Sequence, residues 1–209
     1  MKENEKMNLP NKITLTRIFM IPIFVLVFFL DGALPKIAGM PIAYAIAAVI
    51  FMLAAFTDFI DGHIARKYKL VTNLGKFLDP IADKVLVSTA MILLLVMGNL
   101  FRGWSWTHAG YVALTVCICI IMARELIISA FRQIAATRGL VMAADKLGKY
   151  KTTFQDISIV ILLASGSIPY LFGDIICGIG LVLFAVATVL TVWSGISYVV
   201  KNKHVLKDA

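Results

Sequence analysis

The sequence predicts an all-α integral membrane protein with six transmembrane helices, and two observations carry this prediction. Hydrophobic residues make up 60% of the 209 residues and charged residues only 15%. This composition excludes an ordinary soluble domain, because so few charges cannot cover a solvated surface. The apolar residues are also concentrated in runs of about 20, the length that a helix needs to cross the ~30 Å hydrocarbon core of a bilayer.

Six apolar runs bounded by charged residues predict the helices in order along the chain: 13–30, 37–57, 85–101, 103–123, 157–173 and 175–200. The third and fifth runs are short, so we expect those helices to extend into the charged segments that precede them. The polar segment 1–12 leads into the first run without a small-residue cleavage pattern, so we expect no removed signal peptide. Without a fixed repeat or a long linker, residues 1–209 are predicted to form one transmembrane domain with polar ends at 1–12 and 201–209.

The basic residues predict how the chain lies in the membrane. With six spans, both termini and two long polar connections share one side, which receives eighteen of the twenty Lys and Arg residues; only Lys36 and Arg102 fall on the other side. Because cytoplasmic loops are enriched in Lys and Arg, we expect the termini to be cytoplasmic in a multi-pass protein of the plasma membrane. A net charge of +8 on so apolar a chain indicates contact with anionic lipid or phosphorylated substrates, and not with nucleic acid.

Four aspartates occupy the first polar connection, between the second and third runs. Asp58 and Asp61 share a face if the second helix continues through them, and Asp79 and Asp83 lie one turn apart on the next helix, so the four carboxylates can converge. Each carboxylate near membrane depth costs about 2.5–3.5 kcal/mol, which nearby cations can offset. Hard oxygen ligands favour Mg²⁺, Mn²⁺ or Ca²⁺ over zinc, and a pair of such cations suits phosphoryl transfer. For any single aspartate, pairing with a Lys or Arg at a helix end is the alternative.

Small residues accompany the aspartates in phase. Gly62 and Ala65 follow Asp61, and Gly75 precedes Asp79 by one turn. Small side chains at these positions can let a flat ring or a diphosphate approach the backbone, or they can serve close packing between helices.

The order D-x2-D-G-x2-A-R-x8-G-x3-D-x3-D, from Asp58 to Asp83, resembles the signature of the CDP-alcohol phosphatidyltransferase family at every defined position. The resemblance implies a six-helix membrane fold, a homodimer, and transfer of a phosphatidyl or similar group from a CDP-linked donor to an alcohol with release of CMP. It also implies two divalent cations, Mg²⁺ or else Mn²⁺, held by the four aspartates, with Asp83 as general base. Donor binding is implied for a set of four residues: Gly62, Ala65, Arg66 and Gly75.

The amino-terminal string N-x-P-N-x2-T-x2-R, ending at Arg17, resembles the opening of the bacterial branch of that family that makes phosphatidylglycerophosphate, as does the string 75–84. This likeness implies CDP-diacylglycerol as donor and sn-glycerol 3-phosphate as acceptor, with Asn11, Thr14 and Arg17 beside the donor. From the residues alone, Pro10 and Asn11 also fit a helix start, and Arg17 fits a side chain that reaches up to the headgroups.

Basic residues in the second polar connection, between the fourth and fifth runs, favour a phosphorylated acceptor on separate grounds. Arg can hold a phosphate through two N–H groups and Lys can hold it as a point charge. An arginine within an apolar helix is costly, which favours a functional role for Arg124, although Glu125 beside it can serve simply as its partner. The rest of this connection also fits a basic loop against anionic lipid. The predicted phosphate-binding residues are Arg124, Arg132, Lys146, Lys149 and Lys151.

Two alternatives stay open at the level of the sequence. The same chemistry can serve another acceptor, such as phosphatidylglycerol, inositol phosphate or serine, although a lipid acceptor needs less phosphate-binding charge than this chain carries. A small cation transporter can also keep four intramembrane aspartates. It would more naturally spread them along a pathway, without the spacing of a CDP-donor site.

Overall fold

The computed structural model describes residues 8–68, 72–97, 107–137 and 146–202, which form six helices and one small hairpin. Each of the six helices contains most of the described part of one predicted apolar run, so the helical fold class is confirmed. The elements in chain order are α1 (Leu9–Phe28), β1 (Lys36–Ile37), β2 (Met40–Pro41), α2 (Ala43–Lys67), α3 (Asn73–Val96), α4 (Thr107–Thr137), α5 (Lys146–Ser165) and α6 (Tyr170–Lys201).

The predicted start of the second helix at residue 37 is wrong, because a short hairpin occupies this part of the chain. Strand β1 pairs antiparallel with β2, in the register Lys36 to Pro41 and Ile37 to Met40. Ala38 and Gly39 between them have positive φ angles of 50° and 81°. Two successive left-handed residues make a tight reversal that a helix cannot contain, so α2 begins only at Ala43.

Helices α3 and α5 begin well before their apolar runs, as the shortness of those runs predicted. Helix α3 begins at Asn73, after Thr72, whose hydroxyl accepts a hydrogen bond from the backbone N–H of Gly75 at 3.0 Å. This cap satisfies one of the N–H groups that the first turn leaves without a helical partner. Helix α5 ends at Ser165, so the predicted fifth run to residue 173 is too long: its last four residues belong to α6.

Three stretches within the described residues are long and apolar enough to cross a membrane: Asn11–Phe28, His108–Thr137 and Leu171–Lys201. Helices α3 and α5 carry the charges of the polar connections in their first halves, and the apolar part of α2, Ala43–Asp58, is shorter. The apolar helical character is therefore confirmed, while the number of helices that cross the bilayer stays a prediction.

All six helices contribute to one buried apolar core. Helix α5 packs most extensively on α6, and α1 packs on both α2 and α3. At the α5–α6 contact, a Cβ at Gly180 would lie 2.8 Å from the side chain of Leu162, so this glycine lets the two helices approach closely. Many other large apolar side chains face outward on every helix, as expected where lipid replaces water as the surrounding medium. The core includes Phe24, Phe51, Leu86, Ile118, Leu162 and Phe184, one from each helix.

Candidate active site

Helix α1 presents a row of three polar side chains to the acidic segment. Asn11, Thr14 and Arg17 follow one another at intervals of three residues, so they share a helix face. All three are buried, and Arg17 is 0% exposed. Polar groups buried this deeply need partners within the protein, and the row finds them on α2, on α3 and at the α3 cap.

Two of these side chains hold aspartates of the predicted cluster. The Arg17 guanidinium donates through Nη1 to Oδ1 of Asp58 at 2.7 Å, forming an ion pair. The Thr14 hydroxyl donates to Oδ1 of Asp79, also at 2.7 Å. Arg17 therefore does not reach up to the lipid headgroups, the alternative that the sequence left open. It orients a carboxylate of the neighbouring helix.

The third side chain of the row packs against Gly75. The Thr72 hydroxyl donates to Oδ1 of Asn11 at 2.8 Å. A Cβ at Gly75 would lie 2.9 Å from that same oxygen, so only a glycine admits Asn11 here without displacement. Of the two uses that the sequence left open for Gly75, close packing between helices is thus observed.

The structure brings three of the four aspartates towards one another. Asp58 on α2 is half-exposed, and Asp79 and Asp83 lie one turn apart on α3. Arg17 and Thr14, one turn apart on α1, bond to Asp58 and Asp79, so the carboxylates of α2 and α3 face the same part of α1. We define Asp58, Asp79 and Asp83 as the carboxylate site. Four further predicted residues have side chains outside the described part of the structure: Asp61, Gly62, Ala65 and Arg66.

The carboxylate site carries donors of the kind that bind divalent cations. Its donors are hard carboxylate oxygens, the type that Mg²⁺ and Mn²⁺ prefer. The bonds from Thr14 and Arg17 each engage Oδ1 and orient the carboxylate of Asp79 and of Asp58. Within the described residues, no group of three or more acidic, His or Cys side chains is already close enough to hold a metal ion. The donor chemistry of the carboxylate site fits divalent cations, but its three described carboxylates do not by themselves form a metal-binding group. The side chain of the fourth predicted ligand, Asp61, lies outside the described part of the structure.

A polar cavity of about 210 Å³ lies beside the carboxylate site, between α3, α4 and α5. Asp83 forms part of its wall, so this residue belongs to both the carboxylate site and the polar cavity. The opposite wall carries Lys151, Thr152 and Gln155 from α5. Its other polar lining residues are Lys84, Ser88, Glu125 and Ser129.

Among the predicted phosphate-binding residues whose side chains the structure describes, only Lys151 lines the polar cavity. Its side chain is buried and its ammonium donates to Oε1 of Glu125. Lys149, two residues earlier, is exposed. The side chain of Lys146 lies outside the described part of the structure.

Arg124 and Arg132 turn from the polar cavity towards α6. Arg124 donates to Oε1 of Glu125 at 3.1 Å and to the Ser194 hydroxyl at 2.9 Å. Arg132 is exposed, with its guanidinium 5.4 Å from the ring centre of Tyr198 and its Nε 3.3 Å from the phenol oxygen. The sequence-based alternative of an Arg124–Glu125 pair is thus observed. Glu125 joins Arg124 to Lys151, and so connects α6 with the wall of the cavity.

Comparison with known proteins identifies the chain's relatives. A family model described as CDP-alcohol phosphatidyltransferase matches residues 7–193. The chain belongs to the CDP-alcohol phosphatidyltransferase family.

Curated relatives of this phosphatidyltransferase match it over nearly its whole length. A protein of Bacillus subtilis (strain 168) is 39% identical over 97% of this chain and 98% of its own length. One of Sodalis glossinidius is 39% identical over 95% of this chain and 97% of its own. One of Rickettsia typhi is 39% identical over 91% and 94%. All three are named CDP-diacylglycerol--glycerol-3-phosphate 3-phosphatidyltransferase.

The predicted phosphate-binding set of this phosphatidyltransferase leaves out two residues that the structure places near the site. Gln155 lines the polar cavity, and the Oδ1 atom of Asp156, next to it, is buried without a hydrogen-bond partner among the described residues. Their signal in the sequence is their position at the boundary between the polar connection and the apolar run of α5. Gln155 also follows Lys151 by four residues, which puts the two on one helix face.

Proposed function

We propose that this phosphatidyltransferase transfers the phosphatidyl group of CDP-diacylglycerol to sn-glycerol 3-phosphate, giving phosphatidylglycerophosphate and CMP. The observation that carries the proposal is that Asp83 belongs to both the carboxylate site and a cavity with a buried lysine in its wall. A proton acceptor and a phosphate-binding cation thus border one small space. The family and the names of the relatives support the same reaction.

The proposed chemistry assigns a proton transfer to Asp83. Its carboxylate accepts the proton of the primary hydroxyl of glycerol 3-phosphate. The oxygen of that hydroxyl forms a bond to the phosphorus on the lipid side of the donor's diphosphate. The bond from this phosphorus to the oxygen bridging the two phosphates breaks, and CMP leaves with that oxygen. General-base assistance of this kind contributes about 10²–10⁴-fold in rate.

The remaining residues are proposed to bind and orient the substrates. Lys151 holds the acceptor phosphate, and the two neighbouring lysines of α5, at 146 and 149, add positive potential. Arg124 acts through Glu125, which it shares with Lys151, and Arg132 supports α6 beside it. On the donor side, Asn11, Thr14 and Arg17 order the carboxylate site. The proposed donor contacts on α2 and α3 are Gly62, Ala65, Arg66 and Gly75.

Divalent cations, two Mg²⁺ or else Mn²⁺, fit the hard oxygen donors of this site. Asp58, Asp61, Asp79 and Asp83 are the residues proposed to hold them. When bound, such cations neutralise charge on a diphosphate and make an alcohol more acidic.

The membrane arrangement that we propose follows the charge distribution of the chain. All six helices cross the plasma membrane as one domain covering residues 1–209, with the termini, the carboxylate site and the polar cavity on the cytoplasmic side. Helices α4 and α6, with 31 and 32 residues, are about 46–48 Å long and so extend past the hydrocarbon. The protein is proposed to act as a homodimer, with the acyl chains of the donor lying in surrounding lipid.

A panel of acceptors tests the proposed function. CMP release from CDP-diacylglycerol by the purified full-length chain is expected with glycerol 3-phosphate, and not with phosphatidylglycerol, inositol phosphate or serine supplied alone. The activity is expected to disappear in excess EDTA and to return with Mg²⁺ or Mn²⁺. Full activity in EDTA would contradict the cation requirement. Metal uptake by proteoliposomes without CMP release would favour a transporter instead.

The Thr14–Asp79 hydrogen bond gives a second prediction. In Thr14→Val the side chain keeps its shape but loses the donor to Asp79, so we expect kcat/KM to fall about tenfold, the order expected for a hydrogen bond to a charged group. Thr115→Val is the matched control, because its hydroxyl is bonded to the backbone oxygen of Tyr111 on the exposed face of α4. Equal activity of the two variants would show that this bond does not order the site.

A further inference from the structure

Gln155 is a buried amide in the wall of the polar cavity, with hydrogen-bonding capacity that the described residues do not use. Its side chain is only 3% exposed. The amide nitrogen lies 3.8 Å from Sδ of Met91, and a thioether sulfur is a weak acceptor. Its oxygen, Oε1, is buried without a hydrogen-bond partner among the described residues.

Two other buried polar side chains of α5, Ser158 and Ser165, are satisfied within their own helix. The hydroxyls of Ser158 and Ser165 each donate to a backbone carbonyl three residues earlier, at 2.7 Å. Such bonds need no ligand. Gln155 is different, because a buried acceptor without a partner costs free energy comparable to a lost hydrogen bond. A group that carries this cost in the wall of a cavity is suited to a ligand that supplies the missing donor.

The position of Gln155 indicates which group of the substrate donates this hydrogen bond. It lies one helical turn beyond Lys151, on the same face of α5, and Asp83 lines the same cavity from α3. In the proposed reaction, Asp83 takes the primary hydroxyl of the acceptor and Lys151 takes its phosphate. The group between these two ends of glycerol 3-phosphate is the secondary hydroxyl.

We propose that Gln155 is a specificity-determining residue that accepts a hydrogen bond from the secondary hydroxyl of the acceptor. This inference rests on the proposed function. It adds that the enzyme recognises the hydroxyl on the middle carbon of glycerol 3-phosphate. Sites built to hydrogen-bond a substrate hydroxyl strongly reject analogues that lack it, because the buried group of the protein is then left without a partner. The enzyme therefore selects a polyol phosphate over a simple hydroxyalkyl phosphate.

The test compares two acceptors that differ only in the middle hydroxyl. 3-Hydroxypropyl phosphate keeps the primary hydroxyl and the phosphate of glycerol 3-phosphate but lacks the secondary hydroxyl. The measurement is kcat/KM for CMP release from CDP-diacylglycerol with each acceptor, for the full-length chain. Wild type is expected to prefer glycerol 3-phosphate by about 100-fold, the order expected when one buried acceptor is left without its partner.

Variants at position 155 assign that preference to the amide oxygen. Gln155→Met keeps the length of the side chain and removes the acceptor, so its preference is expected to fall to about threefold or less while 3-hydroxypropyl phosphate is still turned over. Gln155→Glu keeps an oxygen that can accept the hydrogen bond, so the preference for glycerol 3-phosphate is expected to be retained. Its added negative charge is expected to lower kcat/KM for both substrates. Ser165→Ala is the control, because it removes a buried hydroxyl further along α5 and away from the cavity. This variant is expected to keep the wild-type ratio of kcat/KM between the two substrates.

Two results would overturn the inference: a wild type that turns over both acceptors equally well, or a Gln155→Met variant that discriminates as wild type does. Gln155→Leu provides a second apolar variant, and turnover of 3-hydroxypropyl phosphate reports that each variant is folded. Failure of the proposed function is a separate result. In that case wild type releases no CMP with glycerol 3-phosphate.

Discussion

Replacement of Asp83 by Asn is expected to lower the turnover of CMP release about 10³-fold. Asn has almost the same shape as Asp but cannot accept a proton, and general-base catalysis contributes about 10²–10⁴-fold. Among the aspartates of the carboxylate site, Asp83 is the one that also lines the polar cavity. The effect should therefore appear in kcat at saturating concentrations of both substrates.

Asp174→Asn is the matched control for this variant. Asp174 lies near the start of α6, twenty residues before Ser194, so along the helix axis it is about 30 Å from the residue that contacts Arg124. The same change of charge at Asp174 is expected to leave turnover unchanged. A turnover in Asp83→Asn within tenfold of wild type would exclude Asp83 as the proton acceptor.

Replacement of Lys151 by Met is expected to lower kcat/KM for glycerol 3-phosphate about 10- to 100-fold. The change removes a buried charge, and hydrogen bonds to charged groups contribute about 1.5–3 kcal/mol. Because the acceptor phosphate does not change charge during the reaction, most of the loss should appear as a higher KM for glycerol 3-phosphate. The KM for CDP-diacylglycerol should change little, since the donor is proposed to bind at the carboxylate site.

Lys36→Met is the matched control, because Lys36 lies on the exposed hairpin strand β1. Lys151→Arg keeps the positive charge and is expected to recover part of the affinity, although the planar guanidinium fits the place of an ammonium imperfectly. An unchanged KM for glycerol 3-phosphate in Lys151→Met would remove Lys151 from the phosphate site. A rise in the KM of the donor alone would assign Lys151 to the donor instead.

The sequence predicted the helices well because apolar runs of membrane length have few alternative structures. It also predicted that α3 and α5 extend into charged segments. It did not predict the hairpin before α2, because the reversal depends on left-handed angles at Ala38 and Gly39 and an alanine gives no warning of a positive φ. It placed the end of the fifth run too late, since the turn at residues 166–169 contains no charged residue to mark the end of the helix.

The direction of the basic side chains was the hardest part of the site to predict. Spacing on a helix gives the angle between Arg124 and Arg132, but not which neighbour that face contacts. In the structure both arginines contact α6, through residues one turn apart, Ser194 and Tyr198. Lys151 instead lies on the wall of the polar cavity. Such choices depend on tertiary packing between helices that are distant in sequence, which a pattern within one segment does not contain.

The polar row on α1 has a consequence for how the protein is made. Helix α1 is the first of the six to be synthesised, yet the partners of Thr14 and Arg17 lie on α3 and α2. Until those helices emerge, a lone α1 in lipid would hold an arginine without its aspartate, at an insertion cost of up to about 2.5–3.5 kcal/mol. Stable insertion of α1 therefore depends on α2 and α3. The ribosome must synthesise the chain well beyond the first hydrophobic segment before that segment is stably inserted in the bilayer.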